Sequence, residues 1–266
     1  MQITAENFRL FSKLIEQSND VLILLDKDQS ADSVAVALFF ENFLSTKGKK
    51  MQIVAKSKLP ENLSYLKDKI TDKIEPPKLV VSFNWHETAV DKVTYDLEGE
   101  NFNFIVTPKD KKIKPEDINF SYRGKEVDLV ITLGLSNLSL LEEYEREYIQ
   151  RKTLVNIDNS SENQMFGSVN IVDEAADALC AIIADVAEKS DLSLSTDQAE
   201  VLLSGLRQAT ANFTQVKNAR TFEVAAYYTK VKKGELKNKM FTESKNTQVP
   251  NDWLSPKVFR SNREAS

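Results

Sequence analysis

Apolar and polar positions sort this chain into alternating strands and helices. Residues 21–25 (VLILL) form a continuous apolar run, followed by the polar loop DKDQSADS. Beyond it, apolar Val34, Ala37, Leu38, Phe40, Phe43 and Leu44 recur at helical spacing. A buried parallel strand feeding a crossover helix has this pattern. The loop between them falls at the carboxyl end of the strand, where open α/β sheets bind ligands. Upstream, Phe8, Phe11, Leu14 and Ile15 predict a helix over 7–17. The crossover helix should end near Lys47-Gly48, since Gly caps helices. Residues 51–55 read as a second strand, and Pro60-Glu61 opens a predicted helix to about Ile70.

Pro76-Pro77 breaks this alternation. LVVSF is a strand, and VDKVTYDL and NFNFIVTP alternate on either side of Glu98-Gly99-Glu100, a hairpin signal. With a short strand over 118–122, they make a β-rich insertion around residues 78–125. Residues 127–133 (VDLVITL) return to a core strand, then come a Glu-rich helix over 138–150 and a strand over 153–157 that runs into DNSSEN. Helices are predicted over 174–189, 196–211 and 220–232, the last closing at Gly234. The expected fold is α/β: a doubly wound, mainly parallel sheet flanked by helices. One domain should span 1–232. Residues 233–266 read as a tail in which Trp253 and Phe259 of DWLSPKVF pack back on the domain. Strand ends then align three polar loops on one sheet edge, 26–33, 134–139 and 158–163.

Composition narrows the chemistry. The net charge of -5 argues against broad nucleic-acid binding through many phosphate contacts. The seven glycines match neither glycine-rich phosphate loop. One histidine, His86, excludes a His-pair metal site within one chain, and one cysteine, Cys180, excludes an intrachain disulfide. Cys180 sits in ALCAII with no basic neighbour and reads as a small buried hydrophobe. Glu142, Glu143, Glu145 and Glu147 read as a solvated helix face. No apolar run approaches the ~20 residues that cross a bilayer, and the amphipathic N-terminus is no signal peptide. A cytoplasmic protein is expected.

In the strand-end loops, Asp26, Asp28, Asp32, Asp158, Asn159 and Asn163 offer oxygen ligands of the kind that hold Mg²⁺ or Mn²⁺. Asp, Asn and Ser are also ordinary loop and N-cap residues, the favoured role for most of them.

Order and spacing add a resemblance. In DKDQSADSVAVAL, Asp26 stands where the DHH phosphoesterase superfamily has a His, Ser30 at its first motif Asp, Asp32 at the second, and Ala35-Val36 at its Gly-Ser. In VDLVITLGLSN, Gly134 stands at a ligand Asp. DNSSEN keeps Asp158 and Asn163, with Asn159 and Ser160 at the two histidines that name the family. GLRQATANF keeps Gly205, Thr210 and Phe213, with Ala209 at an Asp. The chain thus resembles DHH phosphoesterases of the RecJ-like and oligoribonuclease-like kind over roughly residues 1–232. For a typical member this implies a two-manganese site for phosphodiester hydrolysis at the sheet edge.

The departures fall on the ligands. Gly134 and Ala209 carry no donor atom, and Ser30, Asn159 and Ser160 are weak neutral ones. The expectation is a catalytically degenerate domain with no cofactor, serving as a binding or interaction protein. The alternative is a metal-dependent phosphoesterase acting on nucleotides or short oligonucleotides. It would hold Mn²⁺ or Mg²⁺ on a site remodelled from Asp26, Asp32 and Asp158, with Asp28 or His86 nearby. A binding role would use Asn163, Arg207 and Arg220 on the phosphate of a nucleotide or nucleic-acid end, with Lys217 solvated. The glycine-rich second domain of active relatives is not recognised here, so partners could include a second copy or an active paralogue.

Overall fold

The computed structural model describes residues 3–26, 30–56, 68–74, 76–84, 86, 89–124, 126–190 and 192–235. In chain order the elements are α1 (Ala5–Gln17), β1 (Asp20–Leu25), α2 (Ala31–Thr46), β2 (Lys50–Val54), β3 (Ile70–Thr71), β4 (Lys78–Ser82), β5 (Val90–Glu98), β6 (Asn101–Pro108) and β7 (Asn119–Arg123). There follow β8 (Leu129–Leu133), α3 (Glu143–Gln150), β9 (Thr153–Asp158), β10 (Val169–Val172), α4 (Leu179–Lys189), α5 (Thr196–Ala209) and α6 (Arg220–Lys232).

Six strands form a parallel sheet in the order β10-β9-β8-β1-β2-β3. The chain winds outward from β1 in both directions, so the order reverses between β1 and β8. At such a switch point the two carboxyl ends diverge and open a crevice. Alternate strand residues face opposite layers. Val21, Ile23, Leu25, Ile131, Leu133, Val155 and Ile157 pack with α1, α2, α4, α5 and α6. Leu22, Leu24, Val54, Val130 and Leu154 pack with Ile149 of α3 on the other side. Burial on both faces is why these strands read as unbroken apolar runs. The expected α/β architecture is therefore present.

The insertion forms two antiparallel ribbons, β4–β7 and β5–β6, the second turning at Gly99 with φ +61°.

Several boundaries differ from the sequence reading. Ile70 lies in β3 beside Ile53 of β2, not at a helix end. Most of the predicted helix before it lies outside the described residues, as do Asp28, Trp253 and Phe259. The Glu-rich helix is a 3-10 turn, Leu138–Leu140, followed by the shorter α3. Its Glu145 is buried and ion-paired with Lys56, so the solvated-face reading fails there. Helix α4 begins at Leu179, five residues later than predicted, because Asp177 and Asp32 fasten its approach. β10 was missed: VNIV is too short to stand out, though Val169 and Ile171 already alternate.

Candidate functional site

The described parts of the strand-end loops lie at the carboxyl edge of the sheet, and several of their side chains are engaged in building it. Ser30 is the N-cap of α2, its hydroxyl accepting from the Ser33 N–H at 3.0 Å. Asp32, two residues further in the first turn, is buried at 5% exposure. One of its carboxylate oxygens accepts from the Leu179 N–H at 2.5 Å and the other from the Cys180 N–H at 3.0 Å. These are the first N–H groups of α4, whose own N-cap, Ala178, offers no acceptor. A carboxylate there satisfies orphan donors and meets the positive end of the helix dipole. Burial raises the pKa of Asp32 and outweighs the hydrogen bonds from Cys180 and Leu179, which lower it.

Asp26 follows β1, half-buried, with its backbone N–H on the Leu133 carbonyl at 3.4 Å. Gly134 ends β8 with φ +70°, a left-handed turn that a non-glycine residue adopts only at some strain. Its N–H donates to the Ile157 carbonyl at 3.0 Å.

The loop after β9 folds back across β8, with the Gln164 N–H on the Ser136 carbonyl at 2.9 Å. A polar chain runs beneath it. Thr132 donates to Asn156 at 3.0 Å, Asn156 to Asn163 at 2.9 Å, and Asn163 to Asp158 at 2.7 Å. The other Asp158 oxygen accepts from the Asn159 N–H at 2.8 Å. Thr132, Asn156 and Asp158 are buried, so these bonds satisfy groups that water does not reach. Asn159 also donates to the Ala176 carbonyl at 3.1 Å, and Ser160 accepts from the Glu162 N–H at 3.1 Å. Asn163, expected to meet substrate, is a bridge inside the loop.

Ala209 is exposed at the end of α5. Ala211, Asn212 and Phe213 then take φ of 47°, 55° and 66°, three successive left-handed residues. Thr210 steadies this turn by donating to the Leu206 carbonyl at 2.7 Å and accepting from the Phe213 N–H at 3.2 Å. Arg207 is exposed and lines a groove of about 460 Å³ with Phe213, Thr229, Lys232 and Lys233, between α5 and α6. Arg220 is ion-paired with the nearly buried Asp185 of α4 and lies 3.8 Å from Glu223. It ties α6 to the core. His86 is exposed, its backbone N–H on Asn84 at 3.1 Å. Cys180 is fully buried, and burial pushes its thiol pKa well up.

A pair of hard divalent cations needs several converging anionic ligands. Among the described residues no group of three His, Cys, Asp or Glu side chains could hold a metal ion. Among the described residues the donors of the expected set do not come together in that way.

Sequence reasoning missed Asp177, which joins the approach of α4 to the start of α6. It accepts from the Lys217 N–H at 3.0 Å, the Asn218 N–H at 3.1 Å and the Thr221 hydroxyl at 2.7 Å. Burial pushes its pKa up, but these hydrogen bonds and the Lys217 charge together hold it below the ordinary carboxylate value. A depressed folded pKa stabilises above the unfolded pKa of about 4, and that stability is lost as pH falls through the folded value. Asp177→Asn should cost roughly 1–2 kcal/mol at pH 7. The gap to wild type should close as urea melts move from pH 5 to pH 3. A gap independent of pH would show that the charge is not what holds this loop.

No helix among the described residues is long and apolar enough to cross a membrane. No protein-family model matches the sequence, and no curated protein matches it. Among solved structures, the chain is similar to an exopolyphosphatase-related protein from Bacteroides fragilis. The TM-score is 0.60 at 12% identity, over 85% of this chain and 57% of that one. The chain thus spans little more than half the length of that protein. At this identity the likeness concerns architecture: the chain has the α/β fold of an exopolyphosphatase-related protein.

Proposed function

We propose that the chain is a DHH-type phosphoesterase-like domain that does not hydrolyse phosphodiesters and acts as a binding or interaction protein. The observation that carries this reading is the role of Asp32. Both oxygens of this family carboxylate accept from the first N–H groups of α4. A cation would have to share this buried carboxylate with two backbone donors, which already take up one lone pair on each oxygen and draw on its charge. Asp158 supports the same reading, with one oxygen on the Asn159 N–H and the other on the Asn163 amide. The competing enzyme reading needs Asp26, Asp32 and Asp158 to converge on an ion, whereas Asp32 and Asp158 are both engaged within the fold. Within a binding role, Arg207 is the exposed cation of the expected set, beside Lys233 and Phe213.

The test is hydrolysis. Purified protein with Mn²⁺ should show no turnover above blank on short oligoribonucleotides, cyclic dinucleotides or polyphosphate. Robust turnover that disappears in a folded Asp158→Asn protein would overturn the proposal.

A further inference from the structure

The β5–β6 hairpin has a use that the strand-end loops do not explain. Its strands of nine and eight residues, roughly 27–30 Å long, pair chiefly with each other. Val93 lies opposite Val106, Tyr95 opposite Phe104, and Leu97 opposite Phe102. Because side chains alternate across a strand, these six share one face. The Tyr95 and Phe102 rings stack diagonally with centroids 5.4 Å apart. The opposite face is polar apart from Ile105: Lys92 pairs with Thr107, Glu98 with Asn101, and Asp96 with Asn103, whose amide donates to it at 2.8 Å.

The apolar face is open. Val93, Tyr95, Leu97, Phe102 and Phe104 are 50–74% exposed. Together they present on the order of 600–700 Å² to water, against about 800 Å² per partner in a standard interface. A two-stranded hairpin is at best marginally stable alone in water, so an aromatic face of this size points to a partner.

The charges along the hairpin indicate which one. Around its tip stand Asp96, Glu98 and Glu100, with no base between Tyr95 and Phe104. At its base Lys92, Lys109, Lys111 and Lys112 outnumber Asp91 and Asp110. The hairpin thus has an acidic end, a basic end and an uncharged middle. Two copies stacked face to face with tip over base would bury apolar on apolar and place each acidic tip over a basic base, the charges attracting from the outer faces over the range that low salt leaves unscreened. That arrangement is isologous, generated by a two-fold axis perpendicular to the strands. Tip over tip would set like charges together. We propose that the β5–β6 hairpin is a homodimerisation surface, with a second copy of this chain seated antiparallel on the face of Val93, Tyr95, Leu97, Phe102, Phe104 and Val106. This stands whether or not the strand-end loops hydrolyse anything.

Sedimentation equilibrium of the full chain tests it. Wild type should be a dimer at tens of micromolar. Tyr95→Asp/Phe104→Asp should weaken the dimer more than about 100-fold, with the main thermal transition of the sheet domain retained. Glu98→Lys/Glu100→Lys, which leaves the apolar face intact, should weaken it about tenfold at low salt. Adding Lys109→Glu/Lys111→Glu should restore it. A monomeric wild type, or a dimer indifferent to Tyr95→Asp/Phe104→Asp, would overturn the proposal. So would a monomer that dimerises only when residues 236–266 are removed, which would give the face to that segment. A dimer strengthened or unmoved by the tip reversal would overturn the antiparallel arrangement.

Discussion

Asp32→Ala should cost about 3–5 kcal/mol of folding stability. The substitution leaves the Leu179 and Cys180 N–H groups without acceptors in a buried setting, at about 1–3 kcal/mol each, and removes an anion from the amino end of α4. For a chain of this size the melting temperature should fall by on the order of 10 °C. Asp32→Asn should lose nearly as much, because the amide nitrogen would face one of the two donors and repel it. The same variants separate a capping residue from a metal ligand. If Asp32 is the cap, Mn²⁺ leaves the melting temperature of wild type unchanged and the alanine loss is the same with or without the ion. If Asp32 is a ligand, Mn²⁺ stabilises wild type and not the variant. Calorimetric melts of both proteins, with and without 1 mM Mn²⁺, distinguish these outcomes.

This double life of Asp32 shows where the sequence was legible and where it was not. The strands were plain because they are covered on both faces: VLILL, VDLVITL and TLVNI carry their burial in unbroken apolar runs. The hairpin was plain because its alternation and Glu98-Gly99-Glu100 turn are local signals. Partners distant in sequence were not plain. Asp32 and the start of α4 are 147 residues apart, and Asp177 and Thr221 are 44 apart. Neither pairing leaves a mark in the local pattern. That is why α4 read as starting at 174, and why the capping role of Asp32 did not show. Ser30 was open to both readings, and its N-cap geometry is the ordinary one. Glu145 misled in the other direction. A run of glutamates suggests a wet face, yet one of them turns inward to Lys56.

Gly205→Ala is expected to destabilise the protein by about 2–3 kcal/mol, although the same change at an open helix position would stabilise by roughly 1. Gly205 lies inside α5, where that helix crosses α2 and α4. A Cβ there would stand 2.6 Å from the Ala35 Cβ and 2.7 Å from the Cys180 Sγ. Neither neighbour can swing aside. Ala35 has no rotamer to change, and the Cys180 side chain is fully buried. The helices would have to separate, loosening the layer that also holds Tyr228, whose hydroxyl donates to the Cys180 carbonyl at 2.6 Å. Ala35 and Gly205 stand at small-residue positions of the first and fourth resembled motifs, and they touch. The small residues at these two positions therefore have a packing role independent of any metal. The double variant Ala35→Gly/Gly205→Ala checks this. It removes the closest clash, so it should recover at least 1 kcal/mol beyond the sum of the two single changes in a urea-melt cycle. Additive losses, or a neutral Gly205→Ala, would mean that α2 and α5 are not held together by this contact.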